Sequence, residues 1–404
     1  MKIKFTKGKV LCAIAISLTV LFANYFAGNT SIPLPDEMSI LKKWDKVKLF
    51  IGTHTDTIPD DVLLVNVGYD KMLVDYYYNN DIKDSVLEGQ QAITDRKKLL
   101  DFLTIAKEAD NYKYIFLDVL FEKGLESDYD SLLFNTISGM DRIVIPVHEG
   151  VELQDSCLYA KAANSDYTTT WEETDFARYQ FIHQGVKSAP LRMYEDINKG
   201  GIVQKGLFFF SSDGILCRNG VTLKMPVTIS ENTRVEEEEE ERERYIVYNL
   251  GADLLNIDSI SPIADELDGK IVIIGDFVND IHVTYAGKQP GSVICLNAYY
   301  SLVHGDHIVF GNRISTFIFY LFVALLYFGL SIIYLNGLSV AAFFDNAWLK
   351  VACSIVSVSI LFWLIAAMAY IAFDIVYNIW IPAGIFTMLD FIVSIFNSYK
   401  NEKK

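Results

Sequence analysis

The chain has 404 residues, is 51% hydrophobic by composition and carries a formal net charge of -16. Lys2, Lys4, Lys7 and Lys9 bring the first 28 residues to +4 and residues 313–404 sum to +1, so the middle of the chain carries -21. A field of that sign repels phosphate backbones and anionic headgroups, which excludes nucleic acid as a partner and leaves cations, basic proteins or plain solubility as its use.

The first element is an apolar stretch from Val10 to Ala27 behind four lysines, the charge order of a span whose start stays in the cytoplasm. A cleaved signal peptide is the competing reading, since Val10 to Ala23 has the length of such an apolar core. No small-x-small cleavage site follows, because Tyr25 stands two positions before Ala27. The stretch reads as a retained anchor, and the middle is exported either way. Three further stretches, Ile314 to Leu335, Val351 to Phe373 and Ile379 to Phe396, approach or exceed the ~20 apolar residues that cross hydrocarbon. An even number of spans returns the C-terminus inside. The basic tail from Tyr399 to Lys404 and the Lys- and Arg-free turn from Asp374 to Asn378 agree with that orientation, while Arg313 opposes it weakly. The expected layout is a cytoplasmic start and anchor at 1–28, an extracytoplasmic domain at 29–312, three spans at 313–398 and a cytoplasmic tail at 399–404. This places the chain in the cell's inner membrane as a multi-pass protein.

The roughly 280 exported residues suffice for a sizeable core without staples. Cys157, Cys217 and Cys295 are too few for a disulfide framework, although one bridge from Cys157 to Cys217 stays open. After Pro33 and Pro35, Trp44 to Phe50 reads as an amphipathic helix. Val62 to Val67 is a nearly continuous apolar run closed by Gly68, the pattern of a strand buried on both faces. Thr94 and Asp95 supply capping chemistry for a helix whose apolar face is Leu99, Leu100, Leu103, Ile105 and Ala106. Tyr114 to Val119 is a second strand, Tyr129 to Ile137 a second helix, and Arg142 to Val147 a third strand stopped by Pro146 and His148. Gly206 to Ser211, Ile215 to Arg218 and Tyr245 to Tyr248 read as shorter strands adding an antiparallel edge. Lys270 to Gly275 is another buried strand, and Ser292 to His304 a helix. Alternating strands and helices imply an α/β fold with a mostly parallel sheet in a three-layer sandwich.

The candidate site leaves the carboxyl end of the last strand, where open α/β sheets bind ligands. Asp276, Asp280 and His282 offer two carboxylates and an imidazole to a divalent cation or a polar ligand, and Asp118 ends another strand at the same edge. The competing use is structural: Asp276 and Asp280 bond loop amides, and Asp118 caps a helix or loop. Asn66, Tyr69 and Asp70 carry the same ambiguity. Glu236 to Glu241 lack the interleaved Gly, Asn or Asp of a calcium loop and read as a solvated tip. Tyr76, Tyr77 and Tyr78 form either a stacking surface or an exposed structural patch. No GxSxG, HExxH, Walker loop, GxGxxG or CxxC occurs, so no catalytic residue, metal site or cofactor is expected. An anchored metal-dependent hydrolase would need a ligand set that the sequence does not display. Among the spans only Asp390 is clearly ionisable, too few charges for a transport path.

The order and spacing of these residues resemble the CHASE type 2 family of extracytoplasmic sensory domains. The resemblance rests on Leu63 to Val67 with Asn66, on Ile93, Thr94, Asp95 and Arg96 with Leu99, and on Ile115 to Phe121 with Asp118. It is strongest from Leu267 to Phe277 and on through Asp280, His282, Thr284, Gly287, Gly291, Asn297, Ala298 and Gly305, with three spans directly after. It implies an external sensor joined through membrane helices to a cytoplasmic cyclase, histidine kinase or serine/threonine kinase. This sequence departs from that pattern by stopping eight residues after Phe396. The expectation is therefore a non-enzymatic receptor subunit that binds an unknown extracytoplasmic ligand or protein and signals to a separate cytoplasmic or membrane partner, self-association being left open. The alternative is an anchored scaffold of an envelope complex.

Overall fold

The computed structural model describes residues 7–29, 40–44, 46–47, 50, 59–79, 85–166, 176, 178–206, 208–229, 247–256 and 262–308, with scattered positions between 321 and 388. The predicted spans at 314–335, 351–373 and 379–396 lie mostly outside the described residues. So do the turn 374–378, Asp390, the tail 399–404, the glutamate run 236–241 and the side chains of Tyr77 and Tyr78. The chain divides into two compact units, one of residues 55–202 and 223–306, the other of residues 1–54, 203–222 and 307–404.

The first unit is built on six parallel strands: β1 (Val62–Asn66), β2 (Tyr114–Leu117), β3 (Ile143–Val147), β4 (Ala162–Asn164), β5 (Val247–Asn249) and β6 (Ile271–Gly275), in the spatial order β5-β1-β6-β2-β3-β4. Their apolar runs are continuous because both faces are covered. One set of side chains, including Leu63, Val65, Ile115, Leu117, Val272 and Ile274, packs against the apolar stripes of α1 (Arg96–Ala109) and α2 (Asp130–Ser138). The alternate set, Leu64, Tyr114, Phe116, Val144 and Ile273, is equally buried. On that side lie α3 (Ala189–Asn198) and α4 (Gly291–Val303), which pack on each other, α4 against β6 and α3 against β2 and β3.

Several predicted elements need correction. Thr94 belongs to a strand, and Asp95 alone caps α1, accepting from the Lys97 and Lys98 amides. Pro146 does not stop β3. The Ile145 amide points to the β4 side, bonding the Lys161 carbonyl, so position 146 faces β2, where pairing already ends at Val144 and no donor is needed. Among the described residues the main sheet has no antiparallel edge: Val247–Asn249 joins it parallel to β1, while Phe210–Ser212 and Ile215–Cys217 form a separate hairpin. The antiparallel ribbon Lys71–Asn79/Ser85–Thr94, strand β4 and helix α3 were not expected.

The second unit begins with a helix from Lys7 to Gly28, of which Val10–Gly28 is long and apolar enough to cross a membrane. Ser17 and Thr19 return their hydroxyls to the Ala13 and Ala15 carbonyls at 2.7 and 2.9 Å, so neither leaves its donor unpaired on the apolar helix. Residues 40–44, 46–47 and 50 are also helical, overlapping the segment Trp44 to Phe50 predicted to be amphipathic. At the end of the long helix the Tyr25 hydroxyl donates to the Phe208 carbonyl at 3.1 Å and accepts from the Phe210 amide at 3.3 Å. The Tyr25 and Phe209 rings stack, and the Asn29 side chain accepts from the Asn219 amide at 2.8 Å. The Arg218 amide donates to the His307 carbonyl at 2.8 Å, so one hairpin is tied both to the exit of the helix and to the segment leading toward residue 314.

Candidate functional site

In the α/β unit, β6 lies between β1 and β2, and the chain leaves β2 toward α2 on one face but β6 toward α4 on the other. Connections that depart to opposite faces from neighbouring parallel strands open a crevice at their carboxyl ends. A cavity of about 340 Å³ occupies this place, within the range of small-ligand sites. Asp118, His148, Ser165, Asp276, Asp280 and Cys295 contribute to its wall, each from a loop or helix just beyond a strand end or from α4. Ile93, Val119 and Leu125 supply an apolar side, two of them from the ribbon cluster of Val74, Ile93 and Leu125.

The four predicted site residues behave differently. Asp276 is a loop organiser. Its Oδ1 accepts from the Val278 and Asn279 amides at 3.0 and 2.8 Å, and its Oδ2 from the Lys71 ammonium at 2.8 Å. Burial works against its charge, but the bonds from Asn279, Lys71 and Val278 prevail and hold its pKa below the ordinary carboxylate value. Asp280 bonds the His282 Nε2 at 2.8 Å, and its carbonyl accepts from Gly291 at the start of α4. His282 sits on the antiparallel hairpin Ile281–Thr284/Gly287–Pro290, outside the cavity lining but bonded to Asp280 within it.

Asp118 is neither cap nor loop organiser. Its amide continues the ladder to the Ile274 carbonyl at 2.7 Å, while its carboxylate makes no hydrogen bond among the described residues. Burial, reinforced by the Asp280 charge and only partly relieved by His282, pushes its pKa up to about 7. Cys295 on α4 shares this environment: burial and the Asp118 charge raise its thiol well above the usual range, so it stays protonated. The sequence expectation of a possible bridge is answered for the other two cysteines, since Cys157 and Cys217 are both free thiols.

Asn66 also resolves as structural. Its side-chain oxygen accepts from the Gly68 and Phe277 amides at 2.8 and 3.1 Å, and its amide donates to Asn249 at 2.9 Å, joining the ends of β1, β5 and β6. Asp70 is taken by Lys98 at 2.6 Å and by the Gly251 amide at 3.1 Å, and Tyr69 is 57% exposed. Gly68 is held small by this crowding: a Cβ there would come within 2.5 Å of the Asp276 Oδ1 and 3.0 Å of the Asn66 oxygen.

Arg96 fixes the segment after β2 from behind. It is 1% exposed, lies 4.4 Å over the Phe121 ring, donates to the Leu120 carbonyl at 3.3 Å and faces Asp130 at 3.6 Å. Burial lowers its pKa to about 10 against the pull of Asp130, and it remains charged at neutral pH. Sequence reading missed Lys71, Ser165 and Cys295 as cavity residues. Ser165 had no signal, because it follows the three-residue strand β4, whose Ala-Ala-Asn sequence lacks strand character.

Among the described residues no three His, Cys, Asp or Glu side chains stand together as a metal-binding group. No protein-family model matches the chain, no curated protein shows significant similarity to it, and no solved structure matches its fold significantly.

Proposed function

We propose that the chain is a non-enzymatic membrane receptor subunit whose α/β unit binds a small stimulus at the carboxyl edge of its sheet and passes the change, through membrane-inserted helices, to a separate output protein. The observation that carries this reading is the cavity around Asp118. A half-buried carboxylate without a hydrogen bond costs the fold free energy that a bound ligand offsets, which is how a binding site differs from a packed loop. The apolar helix Val10–Gly28 and the resemblance to CHASE type 2 sensory domains support the membrane part.

A route for the signal follows from connectivity. Residues 203–222 leave the α/β unit and return to it, and they carry the hairpin bonded to Tyr25, Asn29 and His307. A shift at either end of this excursion reaches the exit of the first helix and the start of the segment before residue 314. A stimulus drives it only by binding one arrangement more tightly than another.

The test is to crosslink the full chain mildly in native membranes, purify it and identify what accompanies it by mass spectrometry. A cytoplasmic kinase, cyclase or transcriptional regulator is the expected companion. Envelope proteins alone, in the same amounts under every growth condition, would replace this reading with the anchored scaffold.

A further inference from the structure

The class of stimulus can be read from which charges in the cavity are already satisfied. Lys71 is held by Asp276 at 2.8 Å, and the His148 ring by Asp166 at 2.8 Å. Asp280 gives one oxygen to His282, and among the described residues its other oxygen and both oxygens of Asp118 make no hydrogen bond. An independent sign of a missing partner lies in the same cavity wall. Ser165 is 4% exposed, lines the same cavity, and its hydroxyl has no hydrogen-bond partner. Its backbone is fixed by the bond from its amide to the Val147 carbonyl at 3.1 Å, so the hydroxyl is presented from a rigid strand end. A buried hydroxyl of this kind costs free energy unless something in the cavity bonds it.

We propose that the cavity takes a small organic cation, a primary ammonium on an apolar stem, held by Asp118 and Asp280 with the Ser165 hydroxyl as a further acceptor. This rests on the receptor reading above and names its ligand class. An ammonium carries three donors and no acceptor, which matches two carboxylates and a hydroxyl oxygen. Ile93, Val119 and Leu125 then cover the stem, and the volume of about 340 Å³ limits its length. The raised pKa of Asp118 agrees, since a nearby cation would relieve the repulsion from Asp280. The N-terminus of α4, at Gly291 on the wall, contributes about half an elementary positive charge, too little to neutralise two carboxylates. A bare divalent ion fits less well, because among the described residues no third His, Cys, Asp or Glu stands with the two carboxylates.

The test is isothermal titration calorimetry on the full chain in mild detergent at pH 8, with n-hexylamine as probe, n-hexanol and hexanoate as neutral and anionic counterparts, and calcium and magnesium chloride as metal probes. The expected result is saturable binding of the amine alone, weakened at least tenfold by Asp118→Asn and severalfold by Ser165→Ala. Equal binding of hexanol, binding of hexanoate, displacement of the amine by either metal, or amine binding that survives Asp118→Asn would each overturn the assignment. The receptor reading fails separately. If the amine binds as expected but leaves the set of crosslinked companions unchanged, the ligand class stands and the signalling role does not.

Discussion

Asp276 and Asp118 follow adjacent parallel strands, β6 and β2, at the same edge of one sheet, yet the two carboxylates are used in opposite ways. Asp276 is saturated by two backbone amides, Asn279 and Lys71, and its pKa is lowered. The Asp118 carboxylate bonds nothing among the described residues, and its pKa rises to about 7. Position at the carboxyl end of a strand therefore does not identify a ligand group. What separates the two is the account of donors around them: a satisfied carboxylate stabilises its loop, and an unsatisfied one is reserved for something else.

The strongest way to break this contrast is Asp118→Asn. Because the folded-state pKa of about 7 stands above the ordinary 3.8, the native state binds the extra proton between those values, and stability falls as pH rises through that window. Removing the charge should stabilise the chain at pH 8 by roughly 2–4 kcal/mol and change it by less than about 0.5 kcal/mol at pH 4. Thermal unfolding of both proteins in the same detergent across that range checks this. A variant less stable than its parent at pH 8 would mean that Asp118 organises its loop as Asp276 does.

Asp276→Ala should act in the reverse direction. It leaves the Val278 and Asn279 amides without their acceptor, at a cost of roughly 2–3 kcal/mol near pH 7. Since the folded pKa is lowered, the stabilisation is present above the ordinary carboxylate value and is lost as pH falls through the folded one, so the deficit of the variant should shrink in acid. Unfolding curves near pH 7 and pH 3 measure it, and a deficit that does not shrink would separate Asp276 from the loop role.

This pair also marks how far the sequence is legible. Strands β1, β2, β3 and β6 and helices α1, α2 and α4 announce themselves because burial on two faces or along one stripe leaves long apolar patterns, as in Val62 to Val67 and Leu99 to Ala106. Strand β4 and the ribbon after β1 do not. The first is only three residues of small and polar side chains, and the second alternates without strong apolar character while carrying an exposed Leu73 and Tyr76. At the site, the edge of the sheet and the four residues Asp118, Asp276, Asp280 and His282 were readable from strand ends alone. Their division into organiser and free group was not, because it depends on Lys71, arriving from the unforeseen ribbon, and on amides that the loop itself turns inward. Asn66 shows the same limit: a polar residue at a strand end looks like a ligand until Gly68 and Phe277 are seen to occupy its oxygen.

The smallest predicted effect sharpens the contrast most finely. Lys71 pairs with Asp276 while its own side chain remains 32% exposed, and such pairs contribute at most about 1 kcal/mol. Lys71→Met should therefore barely move the unfolding temperature, because the Val278 and Asn279 amides still hold the Asp276 carboxylate. The same change removes a positive charge from the wall of the cavity, so Asp276 adds uncompensated repulsion to that of Asp280, and the titration midpoint of Asp118 should move upward. Carboxyl carbon NMR of the chain follows that midpoint directly. An upward shift with unchanged stability is expected if Lys71 serves the field of the cavity rather than the fold, whereas a large loss of stability with no shift would place it with Asn66 among the groups that only tie strand ends together.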